Sequence, residues 1–367
     1  LNGLTNSVFG LFYTILISRG LTTNEFIDYI FIQSIFSFYL ILQDMHLQNR
    51  GIALWTELRD KDIQAEYLFN ILVVRITSAI LGIFLIYLIA LYYQLDNAFY
   101  IVGFQLLFYA FYCPWLYIAT DTIRVVFIRT TSCRILLIIP LVMMDGVDLI
   151  IGYVASNIVI YIIASRSISL IQIRNILADG ILGITNSFSV TTYRLLPVIL
   201  ISRIPHIADY VAVYYIAEKV ARAVGMVTAP LGSAVIDHQS KKKYKKVRQT
   251  GNLMIFISLI SFLVLNIFNN YIMNIFSINQ TPNSHLIFLI VSLIPITVSL
   301  AGYISGKYLL NHERFSHFSF CLRQSSAAAL ITVPITATYW PHYMHFTVLS
   351  LELLTLCLFY RQAKNGS

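Results

Sequence analysis

The sequence predicts an all-α integral membrane protein of about twelve transmembrane helices, in two six-helix lobes with both termini cytoplasmic. Three observations carry this. Hydrophobic residues make up 58% of the chain and charged residues only 11%, against roughly a quarter charged in water-soluble domains, too few to coat a water-facing surface. Apolar runs of about 20 residues, the length that crosses a bilayer as a helix, recur from one end to the other. The chain also repeats itself: Gly3-Leu4-Thr5-Asn6-Ser7 returns as Gly183-Ile184-Thr185-Asn186-Ser187, Tyr13 as Tyr193, Ile15-Leu16-Ile17-Ser18-Arg19 as Ile199-Leu200-Ile201-Ser202-Arg203, and Asp28-Tyr29 as Asp209-Tyr210. Matched pieces in one order, half a chain apart, are the mark of duplicated transporter halves.

Taken in order, the first lobe is expected to hold helices over 1–18, 26–44, 67–93, 97–118, 122–142 and 146–164. The first starts at Leu1 without a basic flank or a small-residue cleavage site, so it reads as a span and not a signal peptide. A cytoplasmic linker over 166–180, with Arg166 and Arg174, separates the lobes 1–165 and 181–367. The second lobe is expected to hold 181–202, 209–236, 251–277, 284–306, 315–338 and 343–360. Connectors such as Gln94-Leu95-Asp96-Asn97 and Asn279-Gln280-Thr281-Pro282-Asn283 are too short to fold as a domain.

Charge orients the spans. Lysine and arginine gather in alternate connectors: Arg50, Arg59 and Lys61; Arg124, Arg129 and Arg134; Arg166 and Arg174; the Lys241–Arg248 run; Lys307, Arg314 and Arg323; Arg361 and Lys364. Positive loops stay inside, which places both termini in the cytoplasm. Six helices per lobe is an even number, so the two copies enter the membrane in the same direction. The lysine run between the eighth and ninth helices reads as a topology anchor. Nucleic acid is not an expected partner, since no soluble surface extends that patch.

Motifs of several chemistries are missing. The sequence has no Walker-type glycine loop, HExxH or GxSxG, so nucleotide-driven pumping and hydrolysis find no support, and neither a cofactor nor a metal site is expected. Cys113, Cys133, Cys321 and Cys357 lie in or beside apolar segments without CxxC spacing and read as buried, reduced packing residues.

Ionisable residues inside a bilayer are costly and mark candidate sites. Arg194 lies midway along the seventh helix, on one face with Ser187 and Thr191; Glu218, Lys219 and Arg222 lie within the eighth. At i, i+4 Glu218 and Arg222 equally fit a structural ion pair. Counting Arg194, Lys219 and Arg222 against Glu218 leaves two positive charges in excess, which suits an anionic substrate because guanidinium forks match phosphate and carboxylate oxygens. Arg75 in the third helix adds a cation to the cavity from the other lobe, or else snorkels to the cytoplasmic face. Asn6 and Asn186 occupy matched positions suited to polar contacts between lobes, and Pro197 and Pro230 are expected to kink the seventh and eighth helices.

Two stretches carry a family likeness. Tyr29–Glu57, YIFIQSIFSFYLILQDMHLQNRGIALWTE, has an aspartate at a helix exit before a glycine-bearing loop; Tyr214–Asp237, YYIAEKVARAVGMVTAPLGSAVID, has tyrosine, alanine, a basic residue and a later proline. With twelve helices in two parallel halves, the chain resembles the multidrug/oligosaccharidyl-lipid/polysaccharide exporter superfamily, and within it the Wzx-type O-antigen flippases. It departs from their pattern at Met45-His46-Leu47 and at Ile236-Asp237-His238-Gln239. The resemblance implies a MATE-like fold and a flippase for an undecaprenyl-diphosphate-linked oligosaccharide in the bacterial inner membrane. It further implies coupling to a proton or sodium gradient, and a polysaccharide polymerase and chain-length regulator as partners beside the membrane lipid. The rival readings are a multidrug or cation exporter of the same fold, a peptidoglycan-precursor flippase, and a membrane polysaccharide polymerase or glycosyltransferase.

Overall fold

The structure is a computed structural model and describes residues 2–44, 61–95, 100–113, 116–117, 123–165, 188–189, 191–240, 242–278, 283–309 and 315–365. Every regular element among them is helical: α1 (Asn2–Gly20), α2 (Thr23–Asp44), α3 (Lys61–Tyr92), α4 (Ile101–Ala110), α5 (Ile123–Val142), α6 (Gly146–Ser165), α7 (Thr191–Ile201), α8 (Ala208–Ser240), α9 (Tyr244–Ile267), α10 (Asn269–Ile275), α11 (Ser284–Val291), α12 (Ile294–Ile304), α13 (Phe315–Tyr339) and α14 (Met344–Asn365). Among the described residues, seven segments are long and apolar enough to cross a membrane: Thr23–Asp44, Asp62–Tyr92, Arg124–Val142, Tyr244–Ile267, Ser284–Tyr308, His317–Tyr339 and Pro341–Lys364. Large apolar side chains such as Ile80, Leu81 and Phe84 point outward from α3, where water would penalise them and hydrocarbon does not. The chain is an all-α, membrane-embedded protein.

Contacts divide the chain into two compact units, one of residues 20–191 and one of residues 1–19 with 192–367. The expected linker 166–180 and Asn186 lie outside the described residues, and Asn6 is placed only by the backbone of α1.

In the unit 20–191, a capping box starts α2. Glu25 Oε2 accepts hydrogen bonds from the backbone N–H and the hydroxyl of Thr22, both at 2.8 Å, and the Glu25 N–H returns one to Thr22 Oγ1 at 3.4 Å. Helix α3 packs on α2 and α4, α4 on α6, and α5 on α6. A Cβ at Gly82 would stand 2.4 Å from the Tyr39 ring and 2.6 Å from Leu106, so only glycine lets these three helices approach so closely. Gly146, at φ +58°, makes the turn that opens α6.

In the other unit, α8 packs on α9, α11 and α12; α9 on α12; and α14 on α11, α12 and α13. Polar side chains join helices across this apolar interior: Ser258 with Ser299 at 2.7 Å, Asn266 with Ser292 at 2.8 Å, and Thr355 with Ser325 at 2.8 Å. Arg19, in the last turn of α1, donates its Nε–H to the carbonyl of Ile275 at 2.8 Å. The segment expected as one helix over 284–306 is broken at 292–293, because Pro295 has no N–H for the Val291 carbonyl and takes the first turn of α12 instead. A π-turn over Ser305–Leu309 follows α12. The backbone stays helical through Pro197 in α7 and through position 230 in α8, so neither proline ends its helix.

Candidate functional site

Four charged side chains from three helices meet in the second unit. Arg194 comes from α7, Glu218 and Arg222 from α8, and Glu352 from α14. They line a cavity of about 330 Å³ whose remaining wall is Ala221, Gly225, Ile294, Pro295, Val298 and Val348. Gly225 leaves room on the cavity side of α8, since a Cβ there would meet nothing within 4 Å. Ile294 and Pro295 bring the break between α11 and α12 to the same wall, and interrupted membrane helices are where transporters build binding sites.

The two arginines are held differently. Arg222 closes tightly on Glu218, one turn away on the same helix, through Nε and Nη2 together. Its Nη2 also donates to the backbone carbonyl of Arg194 at 3.3 Å. Arg194 instead faces Glu352 across helices, with Nε 3.6 Å from Oε1, too long for a hydrogen bond. The Arg194 side chain is 32% exposed while that of Glu352 is 3% exposed. The Arg194 guanidinium carbon stands 5.7 Å from the centroid of the Tyr193 ring, whose face supports a cation.

The wall is therefore charge-balanced, two arginines against two glutamates. The expected excess of two positive charges is absent for two reasons. Glu352 adds a carboxylate that sequence reasoning passed over, and Lys219 does not line the cavity; its ammonium lies 5.2 Å from the Tyr215 ring centroid instead. Glu352 carried a usable signal: a lone glutamate in the apolar run Leu349–Leu354 is an intramembrane ionisable group like those that were singled out.

A second polar contact shares the two glutamate-bearing helices. The Tyr210 hydroxyl on α8 lies 2.9 Å from Nδ1 of His345 on α14, with the Tyr210 and Tyr214 rings stacked at 6.2 Å. Tyr210, Tyr214, Glu218 and Arg222 recur every four residues along one face of α8, and His345 and Glu352 stand seven residues apart on one face of α14.

Arg75 does something else. It belongs to the unit 20–191, is fully buried and does not snorkel. Its Nη1 donates to the Tyr112 carbonyl at 3.0 Å and to Cys113 Sγ at 3.1 Å, its Nη2 donates to the Tyr109 carbonyl at 3.0 Å, and Asp44 stands 4.0 Å away. Gln43 donates to the carbonyls of Leu106 at 2.7 Å and Arg75 at 3.2 Å. Arg75 thus holds the Tyr109 carbonyl in the last turn of α4 and the Tyr112 carbonyl just beyond it, while Gln43 ties α2 to α3 and α4. Of the four cysteines, Cys113 and Cys321 are buried as expected, but Cys133 is half-buried and Cys357 exposed, and all four are free thiols. Among the described residues no cluster of histidine, cysteine and carboxylate side chains forms a metal site.

No protein-family model, curated protein or solved structure matches this chain.

Proposed function

We propose that the protein is a secondary transporter, a flippase that moves an undecaprenyl-diphosphate-linked oligosaccharide, the O-antigen repeat unit, across the bacterial inner membrane. On this reading twelve helices cross the membrane with both termini in the cytoplasm, and two six-helix lobes alternate access. A proton or sodium gradient supplies the driving force, and a polymerase and chain-length regulator take up the product. The observation that carries the reading is Arg194: an arginine 3.6 Å from its carboxylate partner, with 32% of its side chain exposed, lining a cavity inside an apolar helical bundle. A planar guanidinium fork is the group that grips a diphosphate or an acidic sugar. Arg222, committed to Glu218, holds the wall in shape and presents Arg194 through its carbonyl.

The buried carboxylate Glu352 favours one second reading, an exporter of cationic drugs, in which Glu352 takes the substrate and Arg194 is its resting partner. The two part in cells. For the flippase, Arg194→Ala abolishes surface polysaccharide while the protein remains abundant in the membrane, and resistance to cationic dyes is unchanged. Normal polysaccharide together with dye sensitivity would give the site to the exporter.

A further inference from the structure

We propose that Glu352 is a built-in stand-in for the substrate: it occupies Arg194 while the cavity is empty and takes up a proton when an anionic diphosphate replaces it. This rests on the reading of the cavity as an anion site. Three observations assign the role to Glu352. It is the cavity carboxylate that reaches Arg194 from a different helix, so the pair can part without unfolding a turn. The pair stands at 3.6 Å, whereas Arg222 and Glu218 are closed on each other. Arg194 is the more exposed member and Glu352 the buried one, so an anion entering the cavity meets the cation from its open side.

A buried arginine without a counter-ion is costly in a bundle that must close when empty; Glu352 supplies that counter-ion. Once the diphosphate has taken Arg194, an ionised Glu352 faces the ligand's negative charge, and protonation removes the repulsion. The groups that face Glu352 are Arg194 and Tyr193 from α7 and Glu218, Arg222 and Tyr214 from α8. Helix α12 lines the same cavity with the apolar Ile294, Pro295 and Val298, the Ser325 hydroxyl of α13 accepts a hydrogen bond from Thr355, and Lys307 of the π-turn lies against Tyr303 and Tyr308. His345 stands two turns away on α14, against Tyr210. Among these, Glu352 is the carboxylate whose partner the ligand takes.

The test is the affinity of the purified full-length protein, in lipid nanodiscs, for inorganic pyrophosphate between about pH 6 and pH 8. Wild type is compared with Glu352→Gln and Arg194→Ala. Pyrophosphate titrates identically in every sample, so only differences between proteins count. Binding takes up a proton at Glu352, so wild-type affinity falls relative to Glu352→Gln as the pH rises, by up to about tenfold per pH unit for one linked proton. At the upper pH Glu352→Gln binds more tightly than wild type, and Arg194→Ala does not bind. Parallel pH profiles in wild type and Glu352→Gln, with binding still lost in Arg194→Ala, would overturn the stand-in role alone. Binding in Arg194→Ala equal to wild type, or no binding by wild type at any pH, would overturn the anion site and this inference with it. Glu352→Gln keeps the shape of the side chain, and its thermal midpoint separates a folding defect from a change in linkage.

Discussion

Arg194 on α7 faces Glu352 on α14 at 3.6 Å, 158 residues away in sequence, while Arg222 closes on Glu218 within one turn of α8. One pair ties two helices together loosely and the other belongs to a single helix, which gives the two arginines separate consequences when they are changed.

Arg222→Ala strands a buried carboxylate. Glu218 has 7% of its side chain exposed, and losing its hydrogen-bonded partner costs about 1–3 kcal/mol. The thermal midpoint of the detergent-purified protein should drop. The double variant Arg222→Met, Glu218→Leu should recover most of the loss, because replacing both members of a buried pair by apolar groups is close to neutral.

Arg75 is predicted to be structural. Its fork satisfies two backbone carbonyls and a thiol in a site closed to water. Arg75→Met should cost about 3 kcal/mol or more and deplete the protein from the membrane. Arg75→Lys should not rescue it, since one ammonium cannot span those acceptors. Membrane abundance by immunoblot reports both.

Gly225 tests whether the cavity is used. A Cβ there touches nothing, so Gly225→Ala should leave stability and surface polysaccharide unchanged. Gly225→Trp should fill a large part of the roughly 330 Å³ space and abolish polysaccharide display while the protein stays folded. Full display with Gly225→Trp would mean that substrate passes elsewhere.

Gly251 is the opposite case. A Cβ there would lie 2.3 Å from the Tyr303 ring, so Gly251→Ala should lower the thermal midpoint, at a cost of about 1–3 kcal/mol for overpacking. Removing the obstacle with Tyr303→Ala in the same protein should reduce that loss.

Most helices were legible because hydropathy marks whatever the bilayer must bury. Their ends were not. Helix α9 begins at Tyr244 rather than at 251, and α3 at Lys61 rather than at 67, because a helix that leaves the membrane continues through charged turns at no cost in water. The break before Pro295 was missed although proline was visible, since spanning helices often tolerate proline and only packing decides which one interrupts the ladder. At the candidate site, Arg194, Glu218 and Arg222 stood out as charges in apolar runs, and the local Glu218–Arg222 pair followed from spacing alone. The partner of Arg194 did not, because a contact between α7 and α14 leaves no local periodicity to read. Arg75 looked like a snorkelling residue because its distance along the helix is legible, whereas the Tyr109 and Tyr112 carbonyls that hold it inside come from another helix end and are not.

The measurement that bears most directly on the proposed function is flipping itself. Purified protein is placed in proteoliposomes carrying a polyprenyl-diphosphate-linked oligosaccharide, and a membrane-impermeant lectin reports the sugar that reaches the outer leaflet. Wild type should expose inner-leaflet sugar well above the rate of protein-free liposomes, and Arg194→Ala should fall to that background. Equal rates in wild type and Arg194→Ala, or a wild-type rate no higher than protein-free liposomes, would contradict the assignment of this cavity to an anionic lipid-linked sugar.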